Sequence, residues 1–273
     1  MAEYTLTGPA PGHPIFDALR VDAESLRWGR SCVDAEALRR ELAAGVDPDV
    51  KEYEWSGKTL LHRAVLLDRL TMPPPDDERI RERLECIAVL LEAGASVDKL
   101  VSRSCGGTAL YYAVGDRCAP PEYHAVIAAL VEAGADVNYD AGRHSVLANA
   151  AASSTAATVN TLISAGAVDL DRALELAIIH NAKAGKLRIC TLLLRAGAAL
   201  PAVCARLISG GFTADHQRPA CAYIESIRAA GGFKAYETAH RQRLVAIYAP
   251  KFPHLPTDML GRVLEFSYNV GGY

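Results

Sequence analysis

What this sequence lacks narrows its function first. It has no excess of positive charge: 29 Lys and Arg stand against 32 Asp and Glu, for a net charge of -3. No cationic field is therefore offered to phosphate backbones or anionic lipid, and nucleic acid is not an expected partner. Half of the residues are hydrophobic, yet polar residues interrupt every apolar run well short of the roughly 18 positions that a membrane helix needs. There is no C-x-x-C or C-x-x-H pair among the seven cysteines, whose odd number and wide scatter fit a reducing compartment better than a disulfide framework or a metal site. The opening MAEYTLTGPAPGHP has neither the basic start nor the apolar stretch of a secretory signal. The expected location is the cytoplasm, with or without the nucleus. H-E-x-x-H, G-x-G-x-x-G and G-x-x-x-x-G-K-S/T are all missing, so no cofactor, metal or nucleotide is expected.

What is present is repetition. The pattern L-L-x-A-G-A returns at Leu90–Ala95, Leu130–Ala135, Leu162–Ala167 and Leu193–Ala198, with fainter copies ending at Gly45 and Gly231. The glycines are separated by 49, 40, 32, 31 and 34 residues, so the later units keep a near-constant period and the earlier two carry insertions. A period in the low thirties holds two short helices and their connections, a unit too small to bury its own apolar face. Such units must stack. Upstream of each glycine a second pattern recurs, Thr59-Leu60-Leu61-His62-Arg63-Ala64, Thr108-Ala109-Leu110-Tyr111-Tyr112-Ala113, Ser145-Val146-Leu147-Ala148-Asn149-Ala150 and, more weakly, Arg172 to Ile178. Its Thr or Ser suits a helix N-cap, its alanine lets a neighbouring helix approach closely, and the glycine suits a left-handed helix stop.

Together these patterns resemble the ankyrin repeat: the glycine signature is similar to the end of its second helix, and Thr59 to Ala64 to its T-P-L-H-x-A opening, with Leu60 where proline is usual. The resemblance implies an all-α solenoid of stacked helix-turn-helix units with projecting turns, closed by a C-terminal helical cap. Repeats are expected at 34–50, 57–101, 106–141, 143–169 and 171–200, with a degenerate sixth at 201–231. The domain boundaries follow as 1–33 for an N-terminal extension or cap, 34–231 for the repeats and 232–273 for the C-terminal cap. Repeat two carries an insertion from Leu70 to Asp77 and repeat three one from Gly115 to Pro121, either tolerated loop growth or a rim that widens a binding groove.

In that family, contacts to partners come from the projecting turns and the first helices. Carried onto this chain, the partner-binding residues are Tyr53, Glu54, Trp55 and Lys58, then Lys99, Arg103 and Ser104, then Tyr139, Asp140, Arg143 and His144. Trp, Tyr and Arg are the residue types that most often anchor interfaces. The function implied is protein-protein recognition by a chain that is monomeric on its own, without enzymatic activity. The alternative for each of these residues is an ordinary exposed loop position.

After Gly231 the character changes. Phe233, Tyr236, His240, Leu244 and Ile247 form one apolar stripe of an amphipathic helix, with Lys234, Glu237, Arg241 and Arg243 opposite. Pro250, Pro253 and Pro256 then interrupt, and Thr257 can start a last helix. Residues 255–266 resemble the opening of an F-box, similar to the truncated box that ends poxviral ankyrin proteins and docks on ubiquitin-ligase adaptors. The resemblance implies an adaptor-binding set of Leu255, Pro256, Leu260, Val263, Leu264 and Phe266. The alternative is that these apolar residues fold back on the preceding helix. A more distant possibility is a hydrolase using Cys221 with His216 and Asp215, which are expected in a loop and carry no oxyanion signature.

Overall fold

The computed structural model describes residues 15, 34–51, 57–66, 77–101, 106–115, 123–180, 186–202 and 214–267. The described residues are helical; they contain two isolated antiparallel bridges, Lys51 with Thr59 and Asp140 with Ser145, and no strand. The chain divides into two compact units, Met1–Ala167 and Val168–Tyr273.

The first unit holds α1 (Ala35–Ala43), α2 (Leu60–Leu66), α3 (Asp77–Glu92), α4 (Ala109–Val114), α5 (His124–Glu132), α6 (Val146–Ser153) and α7 (Ala156–Ser164). Helices α2 and α3, α4 and α5, and α6 and α7 pack as pairs; α2, α4 and α6 stack in one row and α1, α3, α5 and α7 in another. This is the arrangement the repeat period demands, because each pair buries its apolar face only against its neighbours. Helix α3 begins at Asp77, so the last residue of the expected insertion is helical; the rest of both insertions lies outside the described residues, apart from Gly115.

The sequence signature explains each helix end. In Leu90-Leu91-Glu92-Ala93-Gly94-Ala95 the Gly94 N–H donates to Leu91 O at 3.0 Å and the Ala95 N–H to Leu90 O at 2.9 Å. The same two bonds close α5 at Gly134 and Ala135 and α7 at Gly166 and Ala167. These are paired Schellman bonds, and they require a residue with positive φ between helix and turn. Gly134 has a φ of 86°, and a Cβ added there would meet no atom within 4 Å, so backbone conformation alone selects glycine. At the other end, Thr108 Oγ1 accepts from Tyr111 N and Ser145 Oγ from Ala148 N, as N-caps.

Between repeats, an aspartate four residues after the glycine reaches the next turn. Asp49 Oδ1 accepts from Ser96 N and Asp98 Oδ1 from Asp136 N, both at 2.9 Å. The core consists of the small and branched residues of the opening motif: Ala64, Ala113 and Ala150 are at most 1% exposed, and Leu60, Leu110 and Leu147 are equally buried. Fully burying one such leucine contributes about 1.5–3 kcal/mol. One charge enters this core: the buried Arg83 donates from Nη1 to Tyr123 Oη at 2.6 Å and to Val65 O at 3.3 Å, with its guanidinium 5.2 Å from the Tyr123 ring centre.

The second unit holds α8 (Leu170–Ile179), α9 (Lys186–Ala196), α10 (Ala214–Ala229), α11 (Phe233–Tyr248), a 3-10 turn at Ala249–Lys251 and α12 (Thr257–Ser267). Helix α8 packs on α9 and α10, α10 on α11, and α11 on α12. Ala177 is fully buried, and Asp171, in the first turn of α8, accepts from Ala199 N at 2.7 Å. Helix α11 covers the expected amphipathic stripe, but Ile247 at its end is 56% exposed. The packing is made nearer the start of α11, where Tyr236 meets Tyr223 edge-on and Glu237 pairs with Arg195.

The segment from Asp215 to Pro219, expected as a loop, is helical within α10. Pro219 is the sixth residue of that helix, so its missing N–H removes one hydrogen bond near the N-terminal end, where a proline is tolerated better than in mid-helix.

Candidate protein-binding surface

The turn at residues 139–146 is a closed hairpin. Tyr139 O accepts from Val146 N at 3.0 Å, Asp140 bridges to Ser145, and Asp140 Oδ1 accepts from Gly142 N at 2.7 Å. Gly142, with φ at 81°, makes the reversal. These bonds, with that from Ala141 N to His144 O, hold the tip to itself. Asp140 and Arg143 are exposed on it, and His144 is half-buried.

Beneath the hairpin the Tyr139 ring turns inward, and its hydroxyl donates to Gly106 O. There it starts a row of rings. Tyr139 meets Tyr111 edge-on at 5.9 Å, Tyr111 meets Tyr112 at 6.2 Å, and Tyr112 meets His62 at 6.0 Å. Edge-to-face pairs in this range are the favoured geometry of aromatic contacts. The row runs from α2 through α4 to the next turn, so it bridges repeats two and three on the side of the short first helices. Tyr111, Tyr112 and Tyr139 are all half-buried and so keep part of each ring accessible. Burial, reinforced by the neighbouring Asp140, raises the hydroxyls of both Tyr111 and Tyr139 above the usual tyrosine range; they remain neutral.

His62 anchors the far end. Its Nε2 lies 3.2 Å from Gly107 O, which can only accept, so Nε2 carries the proton; Nδ1 then accepts from the Thr59 hydroxyl at 2.9 Å. Burial lowers its pKa to about 4, and the positive charge of Lys58 acts in the same direction. The imidazole is a neutral clamp between repeats two and three.

Gly107 has a steric reason to be glycine. A Cβ there would lie 2.8 Å from Tyr111 Cδ1 and 3.0 Å from Tyr112 Cε2. Neither Gly107 nor the Tyr111–Tyr112 pair stood out as site residues in the sequence, although the Gly106-Gly107 step before the capping Thr108 was a visible sign of close approach.

The other sequence-derived positions distribute as follows. Lys58 is half-buried close to His62. Lys99 lies with Nζ 3.5 Å from Asp49 Oδ2, tying one turn to the preceding one. Burial pushes the Asp49 carboxyl up, but the bonds from Ser96 and the charge of Lys99 outweigh it and hold the group below its ordinary value. Tyr53, Glu54, Trp55, Arg103 and Ser104 lie outside the described residues. The structure therefore brings Tyr139, Asp140, Arg143 and His144 together and adds Tyr111 and Tyr112 to them.

The adaptor-binding set divides. Leu260 and Leu264 are 3% and 4% exposed and pack on α11, while Leu255, Pro256 and Val263 are exposed; the Phe266 side chain lies outside the described residues. Positions 216 and 221 are five residues apart on the continuous helix α10, about 140° around its axis, and the side chains of Asp215 and His216 lie outside the described residues. Among the described residues, no group of three or more His, Cys, Asp or Glu could hold a metal ion, and no helix is long and apolar enough to cross a membrane.

No family model matches the sequence, and no curated protein does. Among solved structures the chain is similar to the human ASB11 ankyrin repeat domain, at 18% identity over 65% of this chain and 83% of that one, with a TM-score of 0.38. It is also similar to the ankyrin repeat domain of Bcl-3, described as a unique member of the IkappaB protein family, at 20% identity over 69% of this chain and 87% of that one, with a TM-score of 0.37. The assignment as an all-α array of ankyrin-like helix pairs rests on the stacked pairs, the paired glycine caps and the aspartate bonds between turns.

Proposed function

We propose that this protein is a non-catalytic recognition module that holds a partner protein on the turn tips and first helices of its repeats. The carrying observation is the row Tyr112–Tyr111–Tyr139 beside the exposed Arg143. Half-buried tyrosines offer large, rigid contact area at low conformational cost, and a neighbouring arginine adds a charged anchor. Trp55, Tyr53, Glu54 and Arg103 extend the same surface in this reading, with residues 34–231 as the repeat array and 232–273 as a helical end segment.

The test is affinity purification with full-length protein, comparing wild type with Arg143→Ala, Trp55→Ala and the exposed control Glu132→Ala. A partner retained by wild type and by the control, but reduced about tenfold or more by the first two, supports the reading. Equal recovery on all four refutes it.

A second reading, recruitment of ubiquitin-ligase components through residues 254–266, is favoured by the exposure of Leu255, Pro256 and Val263. It is weakened by Leu260 and Leu264, which are already engaged with α11. Recovery of the same ligase components with and without residues 250–273, or of none with either, removes it.

A further inference from the structure

Five of the seven large apolar residues that are exposed among those described fall between Ile247 and Val263. Within them Leu255, Met259 and Val263 are spaced by four and make one ridge along α12 and its lead-in, 38%, 52% and 50% exposed. Phe252, 47% exposed, joins the base of the ridge through the bond from Leu255 N to Phe252 O. Leu260 and Leu264, about 100° further round the same helix, are buried on α11. Helix α12 is therefore apolar on two neighbouring flanks, and packing among the described residues buries only one.

We infer that this ridge pairs with the same ridge of a second copy of the chain, in an antiparallel two-fold contact centred on Met259. The pattern is its own complement. With the two-fold axis at Met259, Met259 meets its counterpart and Leu255 faces Val263 of the other copy. Asp258 and Arg262 border the ridge, both exposed. In the antiparallel register Asp258 of one copy falls two residues, about 3 Å along the axis, from the point opposite Arg262 of the other. Two symmetric ion pairs then flank the apolar centre. Isologous contacts of this kind are the commonest route to a soluble dimer. Three apolar side chains from each copy make a small interface, in the class below about 1,200 Å² that gives weak, concentration-dependent association. The sequence expectation of a lone monomer gives way to a monomer-dimer equilibrium.

Sedimentation equilibrium of the full chain, from low micromolar to millimolar concentration, tests this directly. The average mass rises with concentration from the 29.2 kDa of one chain toward twice that value. Met259→Asp, at an exposed position that leaves the circular dichroism spectrum unchanged, weakens association about tenfold or more. Asp258→Arg and Arg262→Asp each weaken it, and the two together restore it, because the swapped pairs remain complementary. A mass fixed at that of the monomer over the whole range overturns the inference. So does a dimer that Met259→Asp leaves intact, and a double variant no better than either single one overturns the antiparallel register.

Discussion

Acidification should loosen the second and third repeats through His62. The side chain is 1% exposed, and burial lowers its pKa from 6.5 to about 4. Well above pH 6.5 the imidazole is neutral in both folded and unfolded chains and the shift has no effect. As pH falls through the unfolded value, the unfolded chain takes up a proton that the folded chain refuses, so stability declines until the folded pKa is reached. Between pH 7 and 4.5 the loss amounts to about 2.5 kcal/mol, and the full shift is worth about 3 kcal/mol. That is a sizeable part of the 5–15 kcal/mol by which most domains are stable. Asp49 acts with the same sign but lower on the scale: its carboxyl is held below the usual value, so its contribution is lost only as pH falls through that lowered pKa. The assay is urea unfolding at a series of pH values, comparing wild type with His62→Gln. The variant is less stable at pH 7, where the Gly107 carbonyl loses its donor, but its stability falls much less between pH 7 and 4.5. Parallel curves for the two proteins across that interval would refute the assignment of the acid sensitivity to His62.

The remaining predictions concern packing and thiol chemistry. Ala113→Leu places three extra carbons where α4 meets its neighbours, at a site 1% exposed, and should cost about 1–3 kcal/mol in thermal or urea melts; an unchanged midpoint would mean that the stack is looser than described. Cys86 is fully buried, and burial pushes its thiol up to about 12; peptide mapping after alkylation of the native protein at pH 8 should find it unmodified until the chain unfolds, whereas the half-buried Cys221 reacts earlier. Labelling of Cys86 at the rate of Cys221 would contradict the packing of α3.

Much of the fold was legible because its governing features are local. The L-L-x-A-G-A signature encodes a helix end residue by residue: the two leucine positions supply the carbonyls, glycine the positive φ, and the final alanine the buried return. The alanines at 64, 113, 150 and 177 are buried as their place in the opening motif required. The ring row was less legible. Tyr111 and Tyr112 read as part of a helix-opening motif, and only the stacking of repeats shows that Tyr139, in the following turn, lies against them. No spacing rule connects positions 28 residues apart across two helices and a turn. The segment at Asp215 was misread because its proline and polar residues suggest a loop, whereas a proline so near a helix start leaves the helix largely intact.

The turn hairpin suggests why scaffold and surface can vary independently in such a chain. At residues 139–146 the backbone is closed by bonds from Val146 N, Ala141 N and Gly142 N, while the Tyr139 ring fixes the tip against Gly106 and Tyr111. Arg143 makes none of those bonds, so exchanging it changes what the tip offers without disturbing how the tip is held. Lys99 sits in a corresponding turn under the opposite condition, because its ammonium group lies against Asp49 and the same carboxylate accepts from Ser96. A substitution there alters the bond between two turns as well as the surface. The distinction separates the two lysine and arginine positions by physical role: Arg143 is free to be chosen for a partner, and Lys99 is constrained by the repeat before it.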